Sequence, residues 1–144
     1  MKHGVLFISP SSDDYKVISG MLSAVSVPVS HAENLKRANG RLGHEAFGPI
    51  LTEGKLADGK WEDVMDRVRR ESLPSVVVVT DRLADARLWA EALDLGAYDV
   101  LAQPYDSAEV QRVVISALAR QVAFPPRMER SPARQSAAAS FRPA

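Results

Sequence analysis

Short apolar runs alternate along this chain with stretches whose apolar residues recur every three or four positions. Val5-Leu6-Phe7-Ile8, a weaker run from Val25 to Val29, Pro49-Ile50-Leu51, Val76-Val77-Val78-Val79 and Val100-Leu101 are apolar without polar alternation. That pattern predicts strands covered on both faces. Between and after them, Asp13 to Ala24, Ala32 to Leu42, Trp61 to Glu71, Ala84 to Leu95 and Ser107 to Val122 read as helices. The last is the clearest: Val110, Val113, Val114, Ala117 and Leu118 share one face and leave Glu109, Gln111, Arg112 and Arg120 for solvent. Ser11 or Ser12 suits the start of the first helix, and Asp106 or Ser107 that of the fifth. Strand and helix thus alternate five times. This predicts an α/β, flavodoxin-like doubly wound (βα)5 domain, a three-layer sandwich around a parallel five-strand sheet in the order 2-1-3-4-5. In such a sheet the ligand crevice lies where strand order reverses, so the loops after strands one, three, four and five matter most.

Composition narrows the function classes. At 144 residues the chain suits one domain, assigned to residues 1–124. Residues 125–144 form a tail rich in Pro, Arg, Ser and Ala that reads as disordered, or as a linker. Eighteen basic residues balance eighteen acidic ones, so no overall field favours nucleic acid or an anionic membrane. Cysteine is absent, which removes disulfides and thiolate sites. Without a signal-like or spanning apolar segment, the expected location is cytoplasmic. No output domain, DNA-binding or enzymatic, is expected beyond the folded portion. His3, His31 and His44 are scattered and read as ordinary surface or packing residues, and Arg67, Arg69 and Arg70 as a solvated cluster at a helix end.

The run Gly96-Ala97-Tyr98-Asp99-Val100-Leu101-Ala102-Gln103-Pro104-Tyr105-Asp106 resembles the Gly-Ala-x-x-Tyr/Phe-Leu-x-Lys-Pro-Phe-Asp segment of phosphoacceptor receiver domains of two-component signalling. Glu53-Gly54-Lys55-Leu56-Ala57-Asp58-Gly59 is similar to the same family's Asp-Leu-x-Leu-Pro-Asp-Gly. The resemblance extends from Gly4 to about Val122. It implies a phosphoryl-transfer site: an acidic pair after strand one and an acceptor aspartate after strand three hold Mg²⁺. A hydroxyl after strand four and a lysine after strand five then contact the phosphoryl group, where catalysis is mostly positioning and charge stabilisation.

This chain departs from the pattern at most of those positions. Glu53 stands at the acceptor position, Ser9 and Pro10 at the acidic pair, and neutral Gln103 at the lysine. Asp13 and Asp14 come later and favour the first-turn dipole of the first helix. No metal site is expected, and Mg²⁺ binding should be weak or absent. Val100 stands at the family's switching aromatic position. Thr80 either contacts the pocket, reaching Glu53, or only completes a β-branched strand. Pro104 is either the family's cis-proline or a turn residue. Glu53 either mimics the phosphorylated state permanently or is a vestigial, solvated carboxylate beside Lys55.

The resemblance with these departures points to a non-enzymatic pseudo-receiver, independent of phosphorylation and acting as an interaction or dimerisation module. Its partners would be a histidine kinase, a downstream effector or a second copy. The implied working surface is Arg87, Trp89, Glu91, Tyr98, Asp99, Gln111 and Arg112. Trp61 could cover the pocket, but both Trp61 and Trp89 read first as packing residues. Two other readings stand beside it: a phosphoaccepting response regulator with altered site chemistry, and a doubly wound domain binding a small anion or nucleotide at the strand ends. Ser9-Pro10-Ser11-Ser12 lacks the glycines of a phosphate loop, which disfavours the last.

Overall fold

In the computed structural model, which describes residues 4–123, five parallel strands alternate with five helices. β1 (Val5–Ile8), α1 (Ser12–Ser23), β2 (Val29–Ala32), α2 (Leu35–Leu42) and β3 (Ile50–Glu53) form the first half. A hairpin of β4 (Lys55–Leu56) and β5 (Gly59–Lys60) follows, then α3 (Trp61–Arg70), β6 (Val77–Asp81), α4 (Ala86–Asp94), β7 (Asp99–Ala102) and α5 (Ser107–Ala123). The sheet order β2-β1-β3-β6-β7 is the expected 2-1-3-4-5 arrangement with the hairpin strands set aside. The tail from residue 125 and His3 lie outside the described residues.

Both faces of the sheet are covered, as the unbroken apolar runs require. Leu6, Ile8, Ile50, Val77 and Val79 face α2, α3 and α4, where Trp61, Val64 and Met65 close the layer. Val5, Phe7, Leu51, Val78 and Leu101 face α1 and α5, against Ile18, Leu22, Val110, Val113 and Val114. The two strand parities therefore feed two separate cores.

Helix starts follow local chemistry. Ser11 caps α1 by accepting from the Asp14 amide at 3.0 Å, and Asp106 accepts from the Glu109 amide at 2.9 Å. Gly96, with φ +102°, sits after α4 in the left-handed region that suits glycine.

Three expectations are corrected. The second strand is Val29–Ala32, later than the Val25–Val29 run, because Val25 and Val27 instead cover the α1/α5 core from the preceding loop. Ala32 accordingly ends a strand, and α2 begins only after Asn34, whose side chain accepts from the Arg37 amide at 2.8 Å. The β4–β5 hairpin was not expected. Its Asp58 turns away from the pocket: its two carboxylate oxygens accept from the Leu35 and Lys36 amides at 2.7 and 3.0 Å. These bonds, the Leu35 one foremost, hold the Asp58 carboxyl below its ordinary value.

Candidate functional site

The C-terminal ends of β1, β3, β6 and β7 bring Ser9, Glu53, Thr80 and Gln103 together at the reversal of strand order. Ser9 and Thr80 are fully buried, so their hydroxyls need partners within the protein. The Ser9 hydroxyl donates to Glu53 Oε2 at 2.5 Å, a charge-assisted bond between groups 44 residues apart. Thr80 Oγ1 accepts from the Tyr105 hydroxyl at 2.9 Å and lies 3.5 Å from Gln103 Nε2. Gln103 Nε2 also donates to the Tyr105 hydroxyl at 3.1 Å. The Gln103-Pro104 peptide is cis.

These bonds decide between several sequence readings. Thr80 does more than finish a strand, but its hydroxyl is engaged by the β7–α5 loop instead of by Glu53. Glu53 is half-buried and bonded to Ser9, which differs from the solvated carboxylate beside Lys55 that was one of its two readings. Pro10 is exposed and Val100 is buried in the core. Gly54, next to Glu53, packs so closely on Asp81 that a Cβ there would overlap its carboxylate.

Two members of the pocket were missed. Asp14, read as a helix-dipole residue, lies within hydrogen-bonding reach of the Glu53 carboxyl while still occupying the first turn of α1. The only available signal was its position one turn beyond Ser9-Pro10. Tyr105 contributes a hydroxyl where the resembled family has phenylalanine, and that substitution was the signal.

Burial weighs against charge in this pocket. Burial is the main cause that raises the Glu53 pKa, and the adjacent Asp14 carboxyl raises it further; bonds from Ser9 and Gln103 work against them. The Tyr105 phenol is pushed above its ordinary value, chiefly by burial and then by the charges of Glu53 and Asp14, with Thr80 and Gln103 opposing.

A raised carboxyl pKa favours the folded state fully below the unfolded carboxylate value, and that contribution is lost as pH rises through the folded pKa. Glu53→Gln keeps an acceptor for Ser9 and removes the titration. We expect it to raise the thermal midpoint at neutral pH, with the gain vanishing below about pH 4. Melting curves of both proteins across pH would check this, and an equal difference at every pH would contradict it.

The resembled family's pocket is implied to hold a divalent cation of the Mg²⁺ type. Such an ion wants several hard oxygen ligands in near-octahedral array. The pocket offers the carboxyls of Glu53 and Asp14, one of them already committed to Ser9. Among the described residues no group of three or more His, Asp or Glu side chains could hold a metal ion.

The other expected surface lies to one side. Trp61 is 4% exposed and built into the core, so it packs as expected and does not lid the pocket. Trp89 is 38% exposed on α4, which corrects its reading as a packing residue. Arg87 and Glu91 flank it with a solvent-exposed contact of 3.5 Å, an arrangement that contributes little stability. The Tyr98 hydroxyl bonds Ser116, and Arg112 is exposed on α5. Asp99 is half-buried; burial raises its pKa, opposed by the Val100 amide and the Arg112 charge. Gln111 turns elsewhere, donating to the Met21 carbonyl of α1 at 2.9 Å.

No protein-family model matches the chain. Over 113 residues, 78% of its length, the chain is 25% identical to the response regulator protein PilR of Pseudomonas aeruginosa, and it spans 25% of that protein. Its fold is similar to that of a signal receiver domain of a Luxo repressor protein from Vibrio parahaemolyticus, with a TM-score of 0.81 at 20% identity, covering 85% of this chain and 95% of that one. It is also similar to the beryllofluoride-activated NtrC4 receiver domain, solved in solution as a dimer. There the TM-score is 0.76 at 20% identity, covering 81% and 97% of the two chains. Among the described residues no helix is long and apolar enough to cross a membrane.

Proposed function

We propose that this chain, a CheY-like receiver domain of the response-regulator type, signals without being phosphorylated, as a cytoplasmic and non-enzymatic interaction module. The observation that carries the reading is a pocket closed upon itself. Ser9 occupies the Glu53 carboxylate, and Gln103 and Tyr105 occupy the Thr80 hydroxyl. The groups that would receive and neutralise a phosphoryl group are bonded to one another, and Gln103 brings no charge for its oxygens. Mg²⁺ is expected to bind weakly, since Ser9 and Pro10 supply no carboxylate and burial favours the protonated form of Glu53. Glu53 is then an internal acceptor that ties β3 to β1.

Incubation with Mg²⁺ and acetyl phosphate, followed by intact-mass measurement, tests the reading. No stable gain in mass is expected. Addition of one phosphoryl group to Glu53 or Asp14 would overturn the proposal in favour of a phosphoaccepting regulator with altered chemistry.

The working surface we assign is the face made by α4, β7 and α5. Trp89, Leu95 and Ile115 on α4, just after it and on α5 are 38%, 39% and 47% exposed. Aromatic residues flanked by charge are frequent anchors in protein interfaces. A histidine kinase, a downstream effector or a second copy of the chain would fit such a face, and the dimeric NtrC4 receiver domain supports the last. No nucleic acid or membrane partner is expected.

A further inference from the structure

Beside the edge strand β2, at the opposite edge of the sheet from β7, lies a groove of about 810 Å³ whose walls include His31, Lys36, Arg37, Arg41, His44 and Glu45. Three permanent cations and the His44 imidazole face one carboxylate there, although the whole chain is charge-balanced; the His31 ring is turned to the Ser9 carbonyl and stacks on Tyr15, so His31 contributes its backbone. A local surplus of this kind attracts anions.

One of the cations, Arg41, is held in place. Arg41 donates to both Glu45 carboxylate oxygens at 3.2 and 3.3 Å, approaches the His31 carbonyl at 3.5 Å and lies over the Phe47 ring at 5.6 Å. His44 Nδ1 donates to the Gly40 carbonyl at 2.9 Å, which leaves Nε2 for a ligand. The last-turn carbonyls of α2 would oppose an anion. Those of Asn39 and Arg41 are already taken by the amides of Gly43, His44 and Glu45.

Other ways of filling the groove are less favourable. The Val29 and His31 carbonyls of the edge strand receive side chains, from the Tyr15 hydroxyl at 3.3 Å and from Arg41. That discourages addition of a strand from another protein. The first amides of α2 are likewise occupied, by Asp58 and Asn34. Recognition must therefore come from side chains.

We infer that this groove binds a small ligand carrying two or more phosphate groups, with Arg37 and Arg41 as its principal anchors and Lys36 and His44 adding charge. Guanidinium groups match phosphate oxygens in a fork geometry, which favours phosphate over a diffuse anion. The ligand displaces Glu45 from Arg41, at small cost because that pair is solvent-exposed. The site is separate from the Glu53 pocket and independent of its reading.

Calorimetric titration of the full chain with inorganic triphosphate, at constant ionic strength and with sulfate as control, tests the inference. Saturable one-to-one binding is expected. Arg37→Gln and Arg41→Gln should each weaken it about tenfold, the loss of one charge-assisted contact. Glu45→Gln should tighten it, and it retains both arginines, so it reports on the site even if Arg41→Gln perturbs the fold. Arg70→Gln on α3 and Glu53→Gln should leave it unchanged. A flat titration, binding insensitive to Arg37→Gln, equal affinity for sulfate, or tighter binding of a short oligonucleotide at the same residues would overturn the proposal.

Discussion

Trp61→Ala is expected to lower the unfolding free energy by about 3–5 kcal/mol, since truncating a buried tryptophan loses both transfer energy and packing. Trp61 opens α3 immediately after the hairpin, its amide donates to the Gly54 carbonyl at 3.1 Å, and its ring is 4% exposed among Leu6, Ile8, Val64 and Met65. Domains of this size hold about 5–15 kcal/mol in total, so a large share is at stake. Trp89→Ala should change stability by less than about 1 kcal/mol, because that indole is already partly in water. Urea unfolding followed by far-UV circular dichroism separates the two. Equal losses in both variants would mean that the α4 surface is better packed than its exposure implies.

Ser9→Asp should be nearly as damaging at neutral pH, costing about 3 kcal/mol as a charge placed in a buried position without a cation. Ser9 is fully buried and bonded to Glu53 at 2.5 Å, with Asp14 alongside. The new carboxylate would make three acids in one pocket. Two measurements identify the cause. Lowering the pH through the carboxylate range should restore most of the loss, because protonation removes the repulsion. Adding millimolar Mg²⁺ should stabilise the variant and not the parent, since three carboxylates approach a ligand set that a hard cation accepts. A loss that neither acid nor Mg²⁺ repairs would point to steric damage.

The two substitutions also separate what is local from what is assembled. Trp61 could be placed at a helix start by reading along the chain, but its burial depends on the β4–β5 hairpin that turns it inward. Ser9 was legible as a missing carboxylate. Its role as the donor that fixes Glu53 was not, because the two strands carrying them are joined only by sheet pairing.

The five sheet strands and five helices, their parallel order and the departures from the resembled family's acidic pair and lysine were all present in the sequence, because apolar period and residue type act over a few neighbouring positions. The second strand shifted because Val25 and Val27 satisfy their hydrophobicity from a loop over the α1/α5 core, a choice that local pattern cannot distinguish from a strand. Asp58 reaches 23 residues back to cap α2, and Tyr105 reaches 25 residues to Thr80. Asp14 meets Glu53, and Arg41 meets the edge of β2, in the same way. Hydrogen bonds and charge interactions act within a few ångströms, so which distant residues share them is decided only when the sheet and its helices have packed.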